Sequence, residues 1–585
     1  MLKSTKTLKT TLATLAVAAL ATAGLTGCAA GANVGGTLTY VTFQDAWTHA
    51  DPQRNYTGRD IAWFGSYMHR TLTAYDRAEG AAGSAVVPDL ATDTGTASND
   101  NKTWTFTLRD GVSFDDGTPI TCEDIKYGVS RTFATDVITD GPSYAIGMLD
   151  IPSAEDGSST YKGPYSTDAA NDTASFDKAI TCSADHKTIT FNLKRSVGDF
   201  NYTTTYLSFG PVPKAADDGD QYDLHPVSSG PYKIESYKAK DSMVLVRNEN
   251  WNKDSDPLRA TRANPDKIVV KFGVAEEVRD QLLLTDSDPN TMSLDALLPT
   301  NLPTVFDETG NVLPAFEGRA LNVYDPYVRF AFVNVKKLNC LPIRQAIYYA
   351  KDFNGLITLA GGQAFNGDPA DGAIKPLMGL DYKKVTGYED WTTSPNIEKA
   401  TALMAQAKTE CPDLYARATD KNRGLVYDIA DSETNKKSAA IWIDSLAKAG
   451  IVIKFNFIEA GSYYSVVMDP TKQSDLSAAG WAPDWANAST VIPELFTTAG
   501  GFNLTQNADD PAYAEFEKLS NAALVESDRK KQGEQWAALN QYVMDQMWII
   551  PGTFSKTQEI WGSGLGGVFF WEPQGAPSFG DIYIK

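Results

Sequence analysis

The chain has 585 residues, with 52 Lys and Arg against 73 Asp and Glu, a formal net charge of −21. So acidic a surface repels phosphate backbones and excludes nucleic acid as a partner. The length divides naturally into two to four domains, and beyond the N-terminal segment no stretch approaches the roughly 18 apolar residues of a membrane span.

Lys3, Lys6 and Lys9 precede a stretch of apolar and small residues from Thr10 to Leu25, and Leu25-Thr26-Gly27-Cys28 follows. The segment is too short and too weakly apolar for a permanent span and resembles the bacterial lipoprotein signal. That resemblance implies cleavage before Cys28 and lipidation of its thiol. A mature chain of 558 residues remains, and loss of the three lysines takes the charge from −21 to −24. Residues 28–35, "CAAGANVG", read as a flexible tether.

Folded structure is expected from "TLTYVTFQ", a β-rich run. "KTWTFTLRDGV" and "KTITFNLKRSV" alternate apolar Trp104, Phe106, Leu108 and Ile189, Phe191, Leu193 with polar residues, as half-buried strands do. Asp150 to Asp177 is rich in Ser, Thr, Asp, Gly and Pro and reads as surface loop. "SPNIEKATALMAQAKTE" predicts a helix capped by Ser394, with Ile397, Ala400, Leu403, Met404 and Ala407 on one face. "SAAIWIDSLAKAG" predicts another, with Ile443, Leu446 and Ala447 as its apolar stripe, followed by the strand "IVIKFNFI". "RKKQGEQWAALNQYVMDQM" aligns Trp536, Leu539, Val543 and Met547, and "WIIPGTF" continues as a strand. Helices and strands intermix throughout, so the class is α/β.

Catalytic motifs are missing. There is no GxSxG, HExxH or P-loop, and His49, His69, His186 and His225 stand at no ligand spacing. "GSGLGG" at 562–567 matches GxGxxG, but "VFFWEPQGAP" after it cannot open a helix, so it reads as a turn. Cys122, Cys182, Cys340 and Cys411 lack metal-ligand spacing, and outside the membrane two disulfides in one of three connectivities are expected. No metal and no cofactor is expected, and the chain is not expected to be an enzyme.

"LRDGVSFDDGTPITCEDIKYGVSR" (Leu108 to Arg131) resembles the signature of the family 5 extracellular solute-binding proteins, the peptide receptors of ABC importers. "DPQRNY" before it, and "HPVSSGPYKIESY" with "LVRNENW", "FVNVKKLNCLPIRQAIYYAKD", "GWAPDW" and "MDQMWIIPGTF" after it, recur in family order, so the resemblance spans residues 36 to 585. In physical terms the signature is scaffold: Asp115, Asp116 and Gly117 suit a tight turn, and Thr121 with Asp124 suits a helix N-terminus.

The resemblance implies a periplasmic-binding-protein-like fold of type II, in its large three-subdomain form, with a ligand cleft between two lobes. Lobe I is expected from 36–60, 204–322 and 556–585, with 61–203 inserted in it, and lobe II from 323–555. Pairing Cys122 with Cys182 and Cys340 with Cys411 is then favoured, because each pair falls within one lobe.

In peptide-binding relatives the aspartate of the W-x-x-D-Y/W segment meets the ligand's α-ammonium, and backbone beside the tryptophan bonds the peptide as an added strand. Asp484 stands at that aspartate here, Gly480, Trp481 and Ala482 at the backbone positions, and Trp485 is expected to wall the carboxylate with Trp481. Opposite them, Phe43, Gln44 and Asp45 are further candidates. Asn487 and Ala488 depart from the Asp-Pro common in the family, and no cation for a peptide C-terminus is assignable by motif.

The function implied is a monomeric receptor, anchored on the outer face of the cell membrane by lipid on Cys28, which captures peptides or peptide-like solutes by cleft closure and delivers them to the transmembrane subunits of an ABC permease. Alternatives are the same fold binding a nickel chelate or an oligosaccharide, or a sensor of peptide signals. A secreted hydrolase lacks its nucleophile or carboxylate pair.

Overall fold

The computed structural model describes residues 35–155, 157–459, 463–526 and 528–585. The signal segment, Cys28 and the tether up to residue 34 lie outside the described residues. Among these residues no helix is long and apolar enough to cross a membrane.

The first lobe is built on a five-stranded sheet and a four-stranded one. Strand β1 (Thr37–Val41) is followed by the helix Gly58–Tyr67, then by β2 (Thr96–Ser98), β3 (Thr103–Thr107), β4 (Ile180–Cys182) and β5 (Thr188–Asn192). These last four form one antiparallel sheet in the order β2-β3-β5-β4, so the two alternating segments are neighbours, with Trp104 opposite Phe191 and Phe106 opposite Ile189. Next come β6 (Tyr232–Lys238), β7 (Ser242–Arg247), β8 (Lys267–Lys271) and β9 (Thr291–Ser293), which with β1 give the order β9-β1-β8-β7-β6. β1 lies parallel to both its neighbours, which requires long crossovers and buries its residues from Leu38 on.

The second lobe carries a six-stranded sheet. Its strands are β10 (Ala320–Val333), β11 (Asp368–Pro369), β12 (Leu425–Ala430), β13 (Ile453–Ile458), β14 (Leu476–Trp481) and β15 (Ile549–Ile560), in the order β11-β15-β10-β14-β12-β13. β10 and β15 are the long pair: at one end Ala320 meets Ile560 beside the first lobe, and at the other Phe332 meets Ile549 in the second lobe's core. Their register slips between Tyr324 and Val328. Disulfides join Cys122 to Cys182 and Cys340 to Cys411, with Cα atoms 5.8 and 6.1 Å apart.

The signature segment is scaffold. Asp115 accepts the Ser228 N–H at 3.0 Å and its own N–H bonds the Ser228 carbonyl at 2.9 Å, tying the turn to the "SSGPYKI" loop. Thr121 N–H donates to Asp124 Oδ2 at 2.8 Å, which satisfies a free donor at the start of helix Cys122–Arg131. At that helix's end Arg131, fully buried, pairs with Asp51 of the "DPQRNY" segment at 2.6 Å and with Asp217 at 3.2 Å. A second buried network joins Arg70 and Arg259 through Asp89 at 2.8 and 3.0 Å.

Three local expectations change. The helix Ile397–Glu410 is capped by Asn396, which accepts the Lys399 N–H at 3.0 Å, and not by Ser394. In the helix Glu433–Lys448 the buried stripe is Ala439, Trp442 and Leu446, while Ile443 is 45% exposed and Ala447 is exposed too. The larger apolar surface of the indole decides which face turns inward. The loop expected through Asp177 ends early, because Asp172 caps a helix from Thr173 to Ala179.

Candidate functional site

β14 runs out of the second lobe's sheet into Ala482-Pro483-Asp484, and its own loop clamps that turn. Trp481 Nε1 donates to the Thr490 carbonyl at 2.7 Å, and Asp484 N–H donates to Thr490 Oγ1 at 3.1 Å. Asn487 accepts the Ser489 N–H at 3.0 Å, and Ala488 N–H donates at 2.7 Å to Asp381, itself paired with Arg529. The residues that depart from the family's Asp-Pro pattern thus fasten the loop. Asp484 is not a helix cap, since Asn487 does that work.

The Asp484 side chain leaves its own lobe. Tyr206 Oη donates to Oδ1 at 2.8 Å, Tyr56 Oη donates to Oδ2 at 3.0 Å, and Tyr144 Oη also donates to Oδ2. All three phenols come from the first lobe, so the carboxylate is gripped across the lobe boundary. No Lys, Arg or His pairs with it among the described residues. Burial pushes its pKa well above the ordinary carboxylate range, the charge of Glu494 pushes it further, and the Tyr56 hydrogen bond pulls it down.

Between the lobes lies a cavity of about 630 Å³, lined by Gly480, Trp481, Ala482 and Asp484 from one side and by Tyr56, Tyr144 and Tyr206 from the other. Glu494 lines it as well, its pKa raised chiefly by burial, with one oxygen accepting the Gly501 N–H at 2.9 Å. Among the described residues Arg54 is the one cation in the lining, and its guanidinium already stands 3.9 Å from Asp140 and 3.7 Å from Asp223. The lining therefore holds more carboxyl groups than cations, in a reduced dielectric. There an ammonium 4 Å from a carboxylate gains about 4 kcal/mol at an effective dielectric constant of about 20, against about 1 in water.

The strand beside it is half paired. β14 bonds β10 along its length, from Val328 opposite Trp481 to Val333 opposite Leu476, but β12 covers only Leu476 and Ser477 on the other side. Among the described residues the backbone from Ala479 to Trp481 thus has an edge without a strand partner, which suits an added strand.

The other candidates stand elsewhere. Trp485 is only 3% exposed and packs into the first lobe's core, 5.0 Å from the Tyr144 ring, with Nε1 donating to Asp199 Oδ2 at 2.8 Å. It buttresses one of the phenols that holds Asp484 rather than walling the cavity. Phe43, Gln44 and Asp45 do not line the cavity. Phe43 is 48% exposed with its N–H on Asp295, Gln44 accepts from Arg59 at 2.9 Å, and Asp45 faces Lys240 at 3.6 Å. The chain leaves β1 toward the β8 side of its sheet, where Thr42 N–H bonds the Lys271 carbonyl, and the first lobe's contribution comes instead from Tyr56 to Gly58. Tyr56 was visible in "DPQRNY"; Tyr144 and Tyr206 sit in segments that no local pattern marks.

A family model described as "Bacterial extracellular solute-binding proteins, family 5 Middle" matches residues 85–503. The chain is 25% identical over 504 residues to the oligopeptide-binding protein OppA of Bacillus subtilis, covering 83% of this chain and 82% of that protein. It is 24% identical over 495 residues to the probable D,D-dipeptide-binding periplasmic protein DdpA of Escherichia coli, with the same coverage of 83% and 82%. Among solved structures, the clavulanic acid biosynthesis oligopeptide binding protein 2 aligns with a TM-score of 0.81 at 25% identity, over 94% of this chain and 96% of that one. The periplasmic binding protein DppA of Helicobacter pylori, in complex with the peptide STSA, aligns with a TM-score of 0.70 at 19% identity, over 94% and 98%. The two-lobed architecture and these likenesses agree: the chain belongs to the family 5 bacterial extracellular solute-binding proteins, which are receptors and not enzymes.

Proposed function

We propose that this receptor captures peptides or peptide-like solutes between its lobes and delivers them to an ABC permease, held at the outer face of the membrane by lipid on Cys28. One observation carries the reading: a half-buried carboxyl group, Asp484, in an interlobe cavity richer in carboxyls than in cations, approached among the described residues by hydroxyls only. An ionised carboxylate in that position is costly without a cation, and the α-ammonium of a peptide supplies one. The tyrosine hydroxyls then serve as further polar partners around it, and the unpaired edge of β14 offers backbone bonds that ignore side-chain identity. Relatives in the same family are named for oligopeptides and dipeptides, and DppA of H. pylori holds a peptide.

In this reading the lobes, 36–60, 204–322 and 556–585 on one side and 323–555 on the other, with 61–203 carried on the first, close by flexing β10 and β15 where their register slips. The permease reads the closed form, which ligand favours only through contacts it makes better there.

An oligosaccharide reading draws on the aromatic lining, including Trp481, Tyr327 and Phe502. It leaves the charge at Asp484 without a partner. The test is calorimetric titration with short peptides carrying a free or an acetylated N-terminus. Tight binding that acetylation abolishes supports the proposal, whereas equal binding of both forms, or binding of neutral sugars alone, removes it.

A further inference from the structure

A hollow of about 530 Å³ lies at one end of the four-stranded sheet of the first lobe and shares no lining residue with the interlobe cavity. Lys102, Lys178 and Lys194 line it against a single carboxylate, Asp150, in a chain whose net charge is −21. A local excess of cations in so acidic a protein is an electrostatic feature of its own.

Three segments build it. Lys102 stands at the head of β3 and its carbonyl accepts the Leu193 N–H at 2.8 Å, so Lys194, just past the end of antiparallel β5, comes to the same end of the sheet. Thr103 lies opposite Asn192, and its hydroxyl donates to Asn192 Oδ1 at 3.2 Å. The Asn192 amide donates in turn to the Lys178 carbonyl at 2.8 Å, which ties the helix Thr173–Ala179 to the strand pair. All three lysines are exposed, and none stands within ion-pair distance of a carboxylate among the described residues. Lys194 Nζ donates to the Ile146 carbonyl at 3.0 Å instead. Burial lowers the Lys194 pKa, the neighbouring Arg195 charge lowers it further, and Asp150 offsets part of this. Like charges gathered without a matching counterion repel one another, and an anion among them relieves that repulsion.

We propose that this hollow is a binding site for a phosphate-bearing anion, held by Lys102, Lys178 and Lys194 independently of any solute between the lobes. Lysine binds phosphate as a point charge, and three such charges suit the multiple charge of a phosphate monoester or a diphosphate. The volume falls within the range of small-molecule pockets, so there is room for the group that bears the phosphate. A soluble phosphorylated compound and a phospholipid headgroup both present this chemistry. Because the lysines are exposed, the attraction is screened over a Debye length of about 8 Å at physiological ionic strength and strengthens as salt is lowered.

The experiment titrates the full chain calorimetrically, at low and at physiological ionic strength, with inorganic pyrophosphate and with dihexanoyl phosphatidylglycerol kept below its micelle concentration. A variant combining Lys102→Gln, Lys178→Gln and Lys194→Gln removes the three charges. A second, combining Lys238→Gln, Lys448→Gln and Lys472→Gln, removes as many from exposed positions elsewhere. All six positions are exposed, so both variants should keep the native fold. Binding should weaken at least roughly tenfold in the first variant and little in the second. Binding of pyrophosphate alone assigns the site to a soluble phosphorylated compound, and binding of phosphatidylglycerol assigns it to a headgroup. No binding of either probe, or equal weakening in the two variants, overturns the site. Neither result bears on the peptide reading, because none of the six lysines lines the interlobe cavity.

Discussion

Tyr206 Oη donates to Asp484 Oδ1 at 2.8 Å although 278 residues of chain separate them. The bond joins the two lobes at the cavity and is repeated by Tyr56 and Tyr144. Close by, Asp199 of the first lobe accepts both Trp485 Nε1 at 2.8 Å and Ser489 Oγ at 3.1 Å from the second. In the proposed reading, closure and solute binding draw on the same few polar atoms.

Asp484→Asn keeps the shape of the side chain and removes its charge. Affinity for peptides with a free N-terminus should fall roughly ten- to a hundredfold, the worth of a hydrogen bond to a charged group. The ligand-free melting temperature should hold at acid pH, where the carboxyl is protonated, and hold or rise at higher pH, where Asn removes a charge that no cation faces. Calorimetry and thermal melting check the pair; undiminished affinity would rule out the ammonium contact.

Protonation of Asp484 carries a definite sign. Its folded pKa is raised, so its contribution to the stability of the ligand-free closed form is fully present below the unfolded value of 3.8 and is lost as pH rises through the folded value. A bound ammonium favours the ionised form and should expel the proton. Across the acid range, where a peptide's amino group is charged, binding enthalpies measured in buffers of different ionisation enthalpy should report proton release. Asp484→Asn should release none. Buffer-independent enthalpy in the native protein would contradict this.

Tyr206→Phe deletes one hydroxyl and preserves the ring that packs 6.3 Å from Trp485. The lost bond is worth about 1.5–3 kcal/mol if the carboxylate is ionised and about 1 if it is neutral. X-ray scattering should show the ligand-free variant more open than the native protein, with saturating peptide restoring the compact form. Identical radii of gyration without ligand would show that the phenol does not hold the lobes together.

Asp89→Ala, remote from the cavity, should destabilise the first lobe by about 3–5 kcal/mol, because Arg70 and Arg259 would be left buried with half their countercharge. Denaturant unfolding reads this directly. A loss below about 1 kcal/mol would mean that Asp256 alone satisfies both guanidiniums.

Local pattern carried much of the architecture. The alternation of Trp104 and Phe106 with threonines marks a strand whichever partner it finds, and Thr121 with Asp124 marks a helix start, because each depends on residues a few positions apart. Asp484 was legible for the same reason: a carboxylate between Trp481 and Trp485 is a short-range feature. In the helix Glu433–Lys448 the stripe read through Ile443 gave way to one through Trp442, because the face that turned inward depended on what the rest of the fold presented to the helix.

What surrounds Asp484 is set by the tertiary structure alone. Tyr56, Tyr144 and Tyr206 lie in three segments with no shared spacing, and only closure of one lobe on the other brings their hydroxyls to one carboxylate. The same folding carries Phe43, Gln44 and Asp45 away from the cavity, sinks Trp485 into the opposite lobe's core, and gathers Lys102, Lys178 and Lys194 at one hollow. Periodicity along a chain encodes which face of an element is apolar, whereas the meeting of charges across a cleft depends on how whole elements pack.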